Sequence, residues 1–329
     1  MSDTATVVSP APQKDRAKRF SLPKGLLQRY GSLIALLLLL VLASLLSDRF
    51  LQVDNMVNVL RQISIVGVLA LGMTFVILTA GIDLSVGAIL SVVVVYTADG
   101  VQSYGILPGV LIGLGVGALL GAVNGLGVTI GRVQPFIMTL GMLTAAKGIA
   151  LIFSNGQPIP VTNRAFLAFG SGRTLGIPNP AIVFLVLLVI AWFVLARMTF
   201  GRSVYAVGAN PEAARLSGIR VGSVTTSVYI ISGLMAGVAG LLYASQLGVG
   251  TPVSGDGKEL DAIAATVIGG TSLFGGVGSV GGTFVGAIIL GVLSNILNLT
   301  GVNPYAQNIF RGAIIVAAVL LQRRSREAK

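Results

Sequence analysis

Between Ser32 and Leu321 the sequence is a succession of long apolar runs, separated by short polar or glycine-rich breaks. A run of about 20 apolar residues is long enough to cross the hydrocarbon core of a bilayer as a helix, and there every backbone N–H and C=O must be satisfied within the protein. The fold class this dictates is an all-α integral membrane protein. Of the 329 residues 54% are hydrophobic and only 10% are charged, whereas a soluble domain is about 25% charged. Glycine is abundant, at 44 positions, and small residues let helices approach closely in lipid.

The runs predict spans over 32–46, 56–80, 85–98, 106–130, 136–153, 180–197, 223–246, 258–273, 283–299 and 304–321, about ten transmembrane helices at the usual span length. Residues 1–30 read as a basic cytoplasmic tail, 31–321 as a single transmembrane domain, and 322–329 as a second basic tail. Residues 99–105 read as a turn, 154–178 as a long outer loop, and 199–222 as a cytoplasmic loop. With the N terminus inside, the outer segments hold only Arg49, Arg164, Arg173 and Lys258 of the 22 Lys and Arg residues, and Arg61, Lys147 and Arg311 fall within spans. The rest lie on the inner side, which is the positive-inside distribution and puts both termini in the cytoplasm. The net charge of +11 is then a matter of topology, not of a nucleic-acid partner. Val116-Gly117-Ala118 and Val285-Gly286-Ala287 are followed, at the same distance, by Val133-Gln134-Pro135-Phe136 and Val302-Asn303-Pro304-Tyr305. An internal repeat of this kind predicts two inverted halves of about five helices each.

Within this apolar chain, Val76 to Gly87 carries one carboxylate, Asp83. An ionisable group inside a span is expensive and marks a polar cavity, a partner or a functional site. Gly81 and Gly87 bracket it, which predicts a broken helix or a re-entrant turn whose irregular backbone is covered by protein or water; the alternative is a short interfacial loop whose Asp83 caps the next helix. Ser85 stands two residues on. Asn124, Asn295 and Asn298 are the other candidates to line a polar pathway through the membrane, since amides both donate and accept hydrogen bonds. Their competing role is interhelical hydrogen bonding. Lys147, Arg311 and Arg61 could pair with Asp83, Glu259 or Asp261, or reach to the interface.

Asn210-Pro211-Glu212-Ala213-Ala214-Arg215-Leu216-Ser217-Gly218 is the clearest local signal. Asn210 can cap, Pro211 suits the first helical position, Glu212 complements the positive helix end, and Gly218 can end the helix. A short cytoplasmic helix results, serving either as an interfacial anchor or as a docking element for a partner. The absence of Cys and His excludes disulfides, Cys/His metal sites and a Ser-His-Asp triad. No catalytic, cofactor-binding or metal-binding residues are assigned. Gly276-Val277-Gly278-Ser279-Val280-Gly281 matches G-x-G-x-x-G but lacks the preceding strand that a dinucleotide site requires. No Walker sequence occurs, so ATP is not expected to bind this chain.

Three ordered motifs together carry a resemblance: Gly81-Ile82-Asp83-Leu84-Ser85-Val86-Gly87, the Gly208-Ala209-Asn210 to Gly218-Ile219 segment, and Ala264 to Gly270 with Gly275 to Gly282. From about Tyr30 to Leu321 the chain resembles the permease subunits of bacterial ABC sugar importers, in the ribose/branched-chain amino acid permease family. That resemblance implies a type II-like importer permease of the inner membrane, working as a homodimer by alternating access on D-ribose or a related monosaccharide. It also implies a periplasmic sugar-binding protein, and cytoplasmic ABC ATPase subunits that hold ATP and Mg. The ATPase would grip the segment Asn210, Pro211, Glu212, Ala213, Arg215, Leu216 and Gly218 as a coupling helix, and membrane lipid would surround the spans. The alternatives are an ion-coupled secondary transporter using Asp83, and an intramembrane enzyme. The latter is disfavoured because the carboxylates Asp83 and Asp261 show no paired spacing for acid–base work.

Overall fold

The computed structural model describes residues 24–303, 305–310, 312–314 and 316. Among the described residues the α-helices include, in chain order, α1 (Lys24–Leu46), α2 (Val53–Leu78), α3 (Val86–Tyr104), α4 (Ile106–Thr129), α5 (Pro135–Phe153), α6 (Arg164–Ser171), α7 (Asn179–Arg197), α8 (Thr199–Ala209), α9 (Pro211–Leu216), α10 (Val221–Leu247), α11 (Lys258–Ile268) and α12 (Val280–Leu299). Four two-residue strands, β1 (Ile159–Pro160), β2 (Arg173–Thr174), β3 (Ile177–Pro178) and β4 (Val249–Gly250), form two small antiparallel pairs, β1 with β4 and β2 with β3. The described residues from Ser32 onward form one compact unit.

Helices α2, α3, α4, α5, α7, α10 and α12 are each long and apolar enough to cross a membrane. They divide into inner and outer members. In α2 and α3, 78% of the apolar window is buried inside the protein; in α4 and α5 it is 22% and in α7 28%. The last three present their apolar side chains outward, as helices facing lipid do, whereas α2 and α3 form the centre of the bundle. What holds α4 to the bundle is a stripe of small residues. Its buried positions are Gly109, Gly113, Gly117, Gly121, Asn124 and Gly125, spaced so that they fall on one face. A Cβ at Gly121 would meet the Tyr229 carbonyl, and one at Gly233 the Gly117 carbonyl. The α4 and α10 backbones therefore touch directly, the close approach expected where apolar solvent gives no drive for large side chains to associate.

Two predicted boundaries move. Residues 99–105 are not a turn: α3 continues to Tyr104, and the reversal is made at Gly105, whose φ is +93°. The helix can continue because Gly100 allows α4 to pack close, a Cβ there lying 2.9 Å from Gly109 Cα. The run 258–273 is not a full span. Helix α11 has only 11 residues, about 16 Å and half of the hydrocarbon thickness; it stops at Gly269-Gly270, with Gly270 at φ +92°. The segment before it, 251–257, does not stay at the bundle surface. Gly250 lies against Val94 and Ala98 of α3, Gly255 N donates to Ser91 Oγ at 2.9 Å, and a Cβ at Gly255 would fall on the Gly87 carbonyl. The chain thus descends along α3 by about three turns before α11 begins, and α11 continues in the same direction, Thr266 Oγ1 donating to the Ala70 carbonyl and Gly276 N, beyond its end, to the Leu78 carbonyl of α2. Residues 1–23 and 317–329, together with positions 304, 311 and 315, lie outside the described residues, so the predicted C-terminal tail, part of the predicted N-terminal tail and Arg311 do too.

Candidate translocation and coupling site

Helix α2 ends at Leu78, Ala80 takes φ +60°, and α3 starts only at Val86. Asp83 lies in this irregular stretch and is fully buried. Its Oδ1 accepts hydrogen bonds from Ser85 N (3.0 Å) and Ser85 Oγ (2.6 Å), and its Oδ2 accepts one from Ser232 Oγ (2.8 Å) of α10. Asn124 Nδ2 of α4 donates to Ser85 Oγ at 2.8 Å. The Ile82 carbonyl accepts from Thr139 Oγ1 of α5 at 3.1 Å. The break is therefore a knot tying α2, α3, α4, α5 and α10, with the carboxylate at its centre. Among the described residues no Lys or Arg forms an ion pair with Asp83. Lys147 pairs with Asp256 at 2.9 Å, Lys258 with Asp261 at 3.7 Å, and Arg61 Nη2 donates to the Ser171 carbonyl at 2.5 Å. The buried Tyr229 hydroxyl and Asn124 Oδ1 have no hydrogen-bond partner among the described residues.

The end of α2 is also the meeting point of two distant glycine segments. Gly276 N donates to the Leu78 carbonyl at 2.9 Å. A Cβ at Gly208 would fall on that same carbonyl, and one at Gly276 would lie 2.9 Å from Ala209 Cα. Only glycine permits this contact of three backbones. From Ala209 the chain passes directly into α9. Asn210 caps it, Oδ1 accepting from Glu212 N and Ala213 N, both at 3.0 Å; Pro211 occupies the first turn, and Arg215 closes onto Glu212 at 2.7 Å. Gly218, at φ +85°, follows the helix end. Of α9 only Ala214 is buried, and Leu216 is 80% exposed.

The three asparagines on the predicted pathway separate. Asn124 belongs to the Asp83 knot. Asn295 and Asn55 exchange two hydrogen bonds, 2.7 and 3.0 Å, and so lock α12 to α2. Asn298 accepts from Gln307 Nε2 at 2.8 Å and lines a cavity of about 300 Å³ between α2, α10, α11 and α12. Gln62, Gln246 and Ser232 were not singled out from the sequence. Gln62 and Gln246 stand near helix ends, where a polar residue reads as interfacial, and Ser232 is one small residue in a glycine-rich run. Their only sequence signal is a polar group on the helix face that also carries Ile65-Val66 or Tyr243.

The family described as branched-chain amino acid transport system / permease component matches residues 55–319. The chain belongs to this family. Curated relatives of the permease include the ribose import permease protein of Bacillus subtilis, 45% identical over 91% of this chain and 94% of that one. The ribose import permease protein of Escherichia coli K12 is 44% identical over 92% and 95%. The D-allose transport system permease protein of the same strain is 39% identical over 90% and 91%. No solved structure matches the chain at a significant level. In this permease the sequence motifs that are far apart in the chain, around Asp83, Gly208 and Gly276, occupy one site: the end of α2 and the entry to α9.

Proposed function

We propose that the chain is the membrane-spanning permease subunit of an ATP-driven sugar importer of the bacterial inner membrane, taking D-ribose or a related monosaccharide. The observation that carries this reading is the joint at Leu78, where the entry of an exposed, capped helix is locked to the broken helix at the protein's centre. On this reading α9 is the coupling helix. Asn210, Pro211 and Gly218 set its ends; Glu212, Ala213, Arg215 and Leu216 form the face held by a cytoplasmic ABC ATPase, which carries ATP and Mg. Movement of α9 reaches α2 and the Asp83 knot through Gly208-Ala209, and alternating access follows from displacement of the two copies of a homodimer. The chain then has about ten membrane helices in two inverted halves, a single membrane domain over 31–321, and cytoplasmic tails at 1–30 and 322–329. A periplasmic binding protein delivers the sugar.

In this scheme Asp83 is a structural centre that holds the knot together, its oxygens accepting from Ser85 and Ser232. The test is purification of the tagged chain from its native membrane in mild detergent, identification of co-eluting subunits, and assay of Mg-ATPase activity. A co-eluting ATPase stimulated by a ribose-loaded periplasmic protein is the expected result. A chain that elutes alone and carries sugar down a proton gradient in liposomes would overturn the reading and restore Asp83 as an ion site.

A further inference from the structure

We infer that the cavity between α2, α10, α11 and α12 is a monosaccharide subsite on the outward half of the translocation path, an inference that rests on the permease reading above. The argument starts from which groups line it. Gln62 of α2, Gln246 of α10, Lys258 and Asp261 of α11, and Ser294 and Asn298 of α12 all face one space of about 300 Å³, at the lower end of small-molecule pockets. Each helix contributes a single face: Gln62 stands over Ile65 and Val66, and Leu290, Ser294, Leu297 and Asn298 repeat at helical spacing. Gln62 and Asn298 are exposed on the outside of the chain, yet they sit on helices whose composition is that of membrane spans. Polar side chains on such a surface do not face lipid; they line water or a polar ligand.

The chemistry selects the ligand. Two glutamines and an asparagine offer donors and acceptors without net charge, and Lys258 and Asp261 are paired with each other at 3.7 Å. The site is therefore rich in hydrogen-bonding groups and close to neutral, which matches hydroxyls and not an anion or cation. Gln246 Oε1 is buried with no hydrogen-bond partner among the described residues, an acceptor that a sugar hydroxyl satisfies. The backbone supports the same assignment. Helix α11 starts from the segment that descends along α3, so its N-terminal turn opens at depth inside the bundle. A half-helix that begins at depth is the arrangement by which transporters place polar groups along a pathway. In the orientation proposed above, Gln246 and Asn298 lie at the outer mouth and Leu290 and Ile65 at the floor, so the space opens to the side from which sugar arrives.

The absence of cysteine makes the test direct. Single variants Ser294→Cys and Gln62→Cys, with Val189→Cys on the lipid side of α7 as control, are reconstituted in liposomes with the ATPase and a ribose-binding protein. They are treated from the outer side with a charged, membrane-impermeant methanethiosulfonate reagent. The expected result is labelling at 294 and 62 but not 189, slowed several-fold by D-ribose, with loss of ribose uptake after labelling while ATPase stimulation persists. Labelling without protection by ribose, or no labelling at 294 and 62, overturns the inference. Gln246→Leu supplies a readout free of labelling: half-saturation for uptake rises by up to about tenfold, what one hydrogen bond contributes, and an unchanged value overturns the inference. If the unmodified complex moves no ribose with ATP, it is the permease reading itself that fails.

Discussion

The Ser232 hydroxyl donates to Asp83 Oδ2 at 2.8 Å across 149 positions of sequence. This single bond fastens α10 to the break between α2 and α3, and it occupies an oxygen of a fully buried carboxylate. Ser232→Ala removes the donor and leaves that oxygen without it, a loss of about 1–3 kcal/mol. Thermal unfolding of the purified protein in detergent should fall accordingly. Asp83→Asn should retain ATP-driven ribose uptake without any requirement for a proton gradient; uptake abolished in a protein that folds normally would return Asp83 to the transport chemistry.

Gly208 and Leu78 give a sharper contrast. A Cβ at 208 lands on the Leu78 carbonyl, which already accepts from Gly276 N. Neither neighbour is a flexible side-chain end, so the backbones must part. Gly208→Ala is expected to destabilise strongly or to uncouple ATP hydrolysis from uptake. Gly115→Ala is its control: nothing lies within 4 Å of a Cβ there, it is in the interior of α4, and alanine favours a helix by up to about 1 kcal/mol. Equal effects at both positions, read by thermal unfolding and ATPase stimulation, would remove the significance of the joint.

Much of this was legible in the sequence, and the parts that were not share a cause. The cap Asn210-Pro211-Glu212, the spans α2, α4, α5, α7, α10 and α12, and the broken helix at Asp83 are local signals, set by propensity and hydropathy over a few residues. The joint at Leu78, the Asn55–Asn295 pair and the Ser232–Asp83 bond are long-range, and no periodicity announces them. Helix α11 misled for a related reason. Its apolar run continues beyond Ile268 to Leu273, so composition reads a span, while the path of 251–257 along α3 is what makes it a half-helix. Lys147 was visible as a cation inside a span; its partner Asp256 was visible only as a loop residue, because the loop's descent into the bundle depends on Gly250 and Gly255 touching α3.

Asn295 and Asn55 form a reciprocal amide pair, so their effect should appear in stability rather than in transport. A double-mutant cycle with Asn55→Ala and Asn295→Ala should give a coupling of about 0.6 kcal/mol, and no more than about 1.7, the range found for hydrogen bonds between membrane helices. Ribose uptake per folded molecule should remain unchanged. A selective rise in the half-saturating ribose concentration for Asn295→Ala would place that residue on the pathway.

The α9 helix separates stability from coupling. Arg215 and Glu212 are an exposed pair, with 69% and 64% of their side chains accessible, and exposed pairs contribute about 0–1 kcal/mol. The double variant Glu212→Ala with Arg215→Ala should therefore unfold at nearly the wild-type temperature. Ribose uptake should nevertheless fall, because both side chains lie on the face assigned to the ATPase, and co-purification of the ATPase should weaken with it. Asn210→Ala acts on the same helix through its cap, costing about 1 kcal/mol. Its defect should be structural, and Asn210→Ser, which restores a capping oxygen, should rescue it. Rescue by serine at 210, together with wild-type unfolding of the 212/215 pair, would assign 210 to holding the helix and 212/215 to what the helix holds. Wild-type transport in the 212/215 double variant would remove α9 from the coupling path.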